Sequence, residues 1–142
     1  MFDTVKIGKK IAELRKSKDM TQFELADALG ISFQAVSNWE RGASMPDISK
    51  LPELAEIFGV TIDEVLGKKN PVVEKIINNE KIDASEVSRD EMIEAAAISK
   101  PRRVRIMIED SGIADIAPLL PFLDGDYIAE LADKYYDDNE TL

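Results

Sequence analysis

"TQFELADALGISFQAVSNWERG", Thr21 to Gly42, is the stretch that decides the fold. Thr21 and Glu24 have the spacing of a capping box, in which the hydroxyl takes one orphan amide and the carboxylate returns to another. Gly30 suits the end of the helix so opened, because a residue without Cβ enters the left-handed region freely. Only Ile31 stands between it and Ser32, a second N-cap. The spacing therefore predicts two short helices joined by a tight turn. At about 100° per residue, Gln34, Ser37, Asn38 and Arg41 share one face of the second helix, with Phe33 at its rim. Ala35, Val36 and Trp39 take the opposite face and read as core. Most polar helix faces are merely solvated, so the meaning of this one rests on its setting.

That setting extends on both sides. Upstream, "IGKKIAELRKSK" places Ile7, Ile11 and Leu14 at helical spacing, with Lys9, Lys10 and Lys16 elsewhere on the surface. Downstream, Pro52 suits only a first helical turn, so a fourth helix is expected from about Leu51 to Gly59. Thr61 and Glu64 repeat the capping-box spacing before Gly67, which predicts a fifth. No segment alternates with the period of a strand. The Lys68–Pro71 stretch is the expected domain boundary. Beyond it, helices are expected near residues 72–78, 89–98, 102–109, 113–120 and 127–136, with Ser88 and Glu91 capping the second and Gly112 following the third. The last two read as a helix pair turning at Asp124–Gly125, and "DDNETL" as a frayed tail.

Composition narrows the chemistry. The chain has 142 residues, 44% of them hydrophobic and only 6% aromatic, so its core must be mainly aliphatic. It contains neither cysteine nor histidine. Disulfides, thiolate or imidazole zinc sites, and Cys–His or Ser–His nucleophiles are thereby excluded. Carboxylate chemistry stays open in principle, but no acidic pair sits in a catalytic setting, and neither an enzyme nor a cofactor is expected. With no apolar run of about 18 residues, the chain reads as soluble and cytoplasmic, without a membrane partner. The net charge of -10 is unevenly placed. Residues 1–69 carry 10 Lys and Arg against 11 Asp and Glu, whereas residues 70–142 carry 8 against 17. The acidity belongs to the second half, and local distribution is what governs a nucleic-acid partner.

With "TQFELADALG", "VSNWERG" and "LAEIFGVTIDEVL" in order and in register, residues 6–67 closely resemble the Cro/CI-type (XRE-like) helix-turn-helix domain of phage repressors and many bacterial regulators. Val65–Leu66 stands where Leu–Leu is frequent, a trivial departure. The resemblance implies an all-α protein: a five-helix, lambda-repressor-like DNA-binding domain over residues 1–69 and a small acidic helical domain over residues 70–142. It implies that Ser32 to Arg41 enters the major groove of double-stranded DNA. Phe33, Gln34 and Asn38 match base-reading positions, while Gln22, Ser32, Ser37 and Arg41 match phosphate-contacting or flanking ones. The chemistry agrees independently, since Gln and Asn can pair bidentately with adenine and an apolar ring can touch a thymine methyl. Phe33 replaces the glutamine of well-known phage repressors, which changes the target rather than the mode of binding. Arg15 matches the arginine that pairs with the counterpart of Glu40, so an Arg15–Glu40 clamp is expected between the first and third helices.

The function so implied is sequence-specific transcriptional regulation, by a repressor acting through occlusion. Its rival is an antitoxin-like or adaptor protein that works through protein–protein contacts. A homodimer is expected, because one small unit with almost no net positive charge reads only a half-site. Ile113, Ile116, Leu119, Leu120, Phe122, Ile128 and Leu131 are assigned to core or to a dimer surface, and the second half is also a place for an unknown effector or protein partner. Lys9, Lys10 and Lys16 are candidate phosphate neighbours. "KPRRVR" (Lys100 to Arg105) sets positive charge at a helix start, against the macrodipole, and is expected to pair with nearby acidic groups.

Overall fold

The structure, a computed structural model, describes residues 1–140 and the side chains of residues 1–134. Nine α-helices are present among them: α1 (Thr4–Ser17), α2 (Gln22–Leu29), α3 (Phe33–Glu40), α4 (Leu51–Phe58), α5 (Ile62–Leu66), α6 (Pro71–Ile77), α7 (Arg89–Ala97), α8 (Pro101–Ser111) and α9 (Gly125–Glu140). No strand occurs among the described residues. The all-α fold class holds.

Local chemistry sets the boundaries of the first five. Asp3 caps α1 by accepting from the Lys6 amide at 3.0 Å, and Arg15 and Lys16 sit in its last turn, where positive charge suits the macrodipole. The Thr21–Glu24 box closes reciprocally, with the Glu24 amide donating to Thr21 Oγ1 and the Thr21 amide to Glu24 Oε1. Gly30 ends α2 with φ at +65°. Ser32 Oγ then accepts from the Ala35 amide at 3.1 Å and opens α3. Pro52 falls in the first turn of α4, as expected, but a 3-10 turn over Ile48–Lys50 runs straight into that helix. At α5, Thr61 caps through the Glu64 amide without the reciprocal bond that its spacing had promised.

Packing explains the order of these elements. Ile7 and Ile11 of α1, Leu25 and Leu29 of α2, Val36 and Trp39 of α3, and Leu51, Leu54 and Phe58 of α4 meet in one core. α1 approaches α3 so closely that a Cβ on Gly8 would lie 2.2 Å from the Trp39 carbonyl oxygen. A glycine normally weakens a helix interior by about 1 kcal/mol relative to alanine. Here the missing side chain is what lets the two backbones touch.

The same apolar cluster continues without a break into the second half, through Val72, Val73, Ile76, Met92, Ile98, Val104, Met107, Leu119 and Tyr127. Within the expected boundary, Lys68 and Lys69 are exposed, whereas Asn70 is drawn into the interior. Asn70 is 2% exposed; its Oδ1 accepts from the Val72 and Val73 amides, and its Nδ2 donates to the Glu91 carbonyl and to Glu94 Oε1. Lys68 also pairs with Glu94, whose carboxyl is raised by burial but held below the usual range by its bonds to cations, that from Lys68 first. Across the halves, the Ile48 amide donates to the Ile98 carbonyl at 2.7 Å.

Two expectations for the second half need correction. Residues 113–120 form no α-helix: the chain is irregular after Gly112 and then makes a 3-10 helix over Ala117–Phe122. Pro118 and Pro121 lack the amides that an α-helical ladder requires. α9, expected over residues 127–136, runs on to Glu140 and so into "DDNETL"; Thr141 and Leu142 lie outside the described residues. The other boundaries match, including the reciprocal Ser88–Glu91 box and the left-handed Gly112. Arg105 of the basic island is compensated within the chain: Nε donates to Glu109 at 3.1 Å, Nη2 to Glu130 at 3.0 Å, and the guanidinium lies over the Tyr127 ring.

Candidate nucleic-acid interface

The expected polar residues of α3 form a connected row. Gln34 Nε2 donates to Asn38 Oδ1 at 3.1 Å, Arg41 Nη1 donates to Ser37 Oγ at 2.9 Å, and Arg41 Nη2 also reaches Asn38 Oδ1. Gln34 and Arg41 are exposed, while Ser37 and Asn38 are half-buried. Such i, i+3 and i, i+4 partners hold one another's rotamers, so less freedom is lost when a ligand replaces them. Ser32 spends its hydroxyl on the cap and stays exposed at the head of the row. Val36 and Trp39, on the far side of the helix, are 0% and 5% exposed.

Behind the row, the expected clamp is present in bidentate form. Arg15 Nε donates to Glu40 Oε2 at 2.7 Å and Nη2 to Oε1 at 2.9 Å, with the two side chains 11% and 8% exposed. The remaining nitrogen, Nη1, donates to the Met20 carbonyl at 2.8 Å and so ties down the turn before α2. Burial pushes the Glu40 carboxyl up, but the hydrogen bonds from Arg15 and Gln22 and the charge of Arg15 outweigh it and hold the group below its ordinary value. The same bond to Glu40 raises the Arg15 guanidinium further.

Gln22 has a second use that its spacing did not reveal. It is the first residue of α2, and its Nε2 donates to Glu40 Oε1 at 3.0 Å. One amide hydrogen is thus committed to the clamp, which leaves the other and the carbonyl oxygen for a ligand. Phe33 opens α3 and is 38% exposed. Its ring stacks on Phe23, 67% exposed, with centroids 4.3 Å apart and planes 16° from parallel. Phe23 was not among the expected site residues. Its only sequence signal is an aromatic at the exposed second position of a capped helix.

The helix-turn-helix family model matches residues 11–65, which span the clamp, the row and α4. Over 60 residues the chain is 38% identical to the uncharacterized HTH-type transcriptional regulator y4dJ of Sinorhizobium fredii, covering 42% of this chain and 78% of that protein. The chain belongs to the helix-turn-helix family, of the XRE type. It is also 39% identical over 62 residues to the HTH-type transcriptional activator BcrR of Enterococcus faecalis, over 44% of this chain and 30% of that one. To the cryptic phage CTXphi transcriptional repressor RstR of Vibrio cholerae it is 33% identical over 64 residues, covering 45% and 57%. The matched part of this helix-turn-helix chain thus spans about a third to a little over half of those two relatives, one named an activator and the other a repressor. No helix among the described residues is long and apolar enough to cross a membrane.

Proposed function

We propose that this chain binds double-stranded DNA by sequence and regulates transcription in the cytoplasm, with α3 in the major groove, as a repressor that acts by occlusion. The observation that carries the reading is the prealigned row Gln34–Asn38–Arg41–Ser37 on a helix held from behind by Arg15–Glu40. Gln34 and Asn38 offer the donor–acceptor pair that adenine presents in the major groove. Arg41, Ser37, Ser32 and Gln22 surround them with groups suited to phosphate. Phe33 supplies an apolar edge, and the exposed Lys9 and Lys16 with half-buried Lys10 add positive charge on α1.

Removing either amide should cost about 1–3 kcal/mol on the preferred duplex and relax the preference at one or two base pairs. Arg41→Ala should instead weaken all duplexes alike and make the salt slope shallower by about one unit. Binding titrations across salt, on a duplex selected from a randomised pool, separate these outcomes. An unchanged sequence preference in both Gln34→Ala and Asn38→Ala would remove α3 from the reading role, and stoichiometric co-purification of a neutralised protein would favour the antitoxin-like alternative.

We further propose that the chain works as a homodimer, with residues 1–69 reading DNA and residues 101–136 of the acidic half joining the copies. Of the apolar residues in that half, Leu119 is core, whereas Leu120 and Ile128 are each 38% exposed and Ile106 of α8 is 45% exposed. Light scattering should give a dimer for the whole chain and a monomer for Leu120→Glu/Ile128→Glu. A wild-type monomer, alone and on DNA, would contradict it and leave that half to an effector or partner.

A further inference from the structure

We propose that Phe23 and Phe33 act as one apolar reading element, with Phe23 as the positioning residue that holds the Phe33 ring against the C5 methyl of a thymine. The inference deepens the DNA-reading proposal and rests on it. The rings belong to the first turns of α2 and α3, on either side of the tight turn, and stack at 4.3 Å with a 16° interplanar angle. Both remain open to solvent, at 67% and 38%. An exposed aromatic pair is an unusual use of surface, and it is continuous with the polar row, because Gln34 follows Phe33 directly and Gln22 precedes Phe23.

Charge assigns the two rings different roles. The cleft beside the pair is lined by Glu24 and Asp27 of α2, together with Ala26 and Ile31. Those carboxylates repel phosphate on the Phe23 side. The approach left to a duplex is from α3, where Phe33 meets the bases and Phe23 backs it. Stacking fixes the ring plane before binding, so little freedom is lost when a methyl group docks on it. Thymine is the one base with an apolar group in the major groove.

The test uses the full chain and a duplex selected by it from a randomised pool, resynthesised with deoxyuridine in place of each thymine in turn. Loss of the contacted methyl should weaken wild-type binding about fourfold at one position, the scale of one buried methylene. That effect should vanish in Phe33→Ala, fall below about twofold in Phe23→Ala by loss of the backing ring, and persist in Phe23→Tyr, which keeps it. If no thymine is sensitive in the wild type, or if Phe23→Ala keeps the full effect, the pair is not a reading element. A chain that selects no duplex sequence at all overturns the DNA-reading proposal itself, and with it this one.

Discussion

Arg15→Ala should destabilise the protein by about 3–5 kcal/mol, because it leaves the buried Glu40 carboxylate without its partner. Three bonds go with the side chain: two parallel ones join guanidinium and carboxylate, and a third fixes the Met20 carbonyl, while the bond from Gln22 to Glu40 remains. Glu40→Ala should cost a similar amount for the mirror reason, while Arg15→Met/Glu40→Leu should be milder than either single change, since no charge is left buried. A double-mutant cycle by denaturant melts measures the coupling. Additive single effects below about 1 kcal/mol would place the pair with ordinary surface ion pairs.

The clamp also carries a pH signature. The folded carboxyl of Glu40 lies below its unfolded value, so the folded state binds its proton less readily. Its stabilisation is therefore complete above the unfolded carboxylate range, around pH 4.3, and is lost as pH falls through the folded value. The stability difference between wild type and Glu40→Gln should accordingly be constant near neutrality and shrink in acid.

The second large effect is expected at Gly8. Gly→Ala in an ordinary helix interior gains about 0.5–1 kcal/mol. At this position the added methyl would sit 2.2 Å from the Trp39 carbonyl oxygen and 3.0 Å from that of Glu40. Backbone atoms cannot swing aside, so α1 must move off α3, and a loss of about 1–3 kcal/mol is expected in place of the gain. Thermal melts decide the sign. A stabilised Gly8→Ala would mean that α1 and α3 do not touch there. Because the contact lies behind Trp39 and Glu40, the variant should also bind DNA less well at temperatures where it remains folded.

What could be read ahead of the structure was chemistry local to a few residues. Thr21, Ser32 and Ser88 name their helix starts, and Gly30, Gly59 and Gly112 their ends, because caps are satisfied within one turn of chain. The face of α3 follows in the same way from a period of 3.6 and one indole. What escaped depends on partners far along the chain. Asn70 falls in the expected domain boundary, and its burial arises because α7 brings Glu91 and Glu94 to it. Phe23 looked like an isolated aromatic until the turn placed it on Phe33. The purpose of Gly8 is invisible without the backbone of α3 beside it. The irregular path over residues 113–116 is a different kind of miss, because Pro118 and Pro121 were legible, yet apolar spacing outweighed them.

Whether α3 reads base edges in the major groove is tested most directly by atom-by-atom substitution in the DNA. On the selected duplex, 7-deazaadenine in place of each adenine removes the N7 acceptor from the major groove alone. Wild-type affinity should fall roughly 5- to 150-fold at one or two adenines, and that sensitivity should disappear at the matching adenine in Gln34→Ala or Asn38→Ala. An affinity indifferent to every such substitution, or equally sensitive in both variants, would contradict base reading by α3.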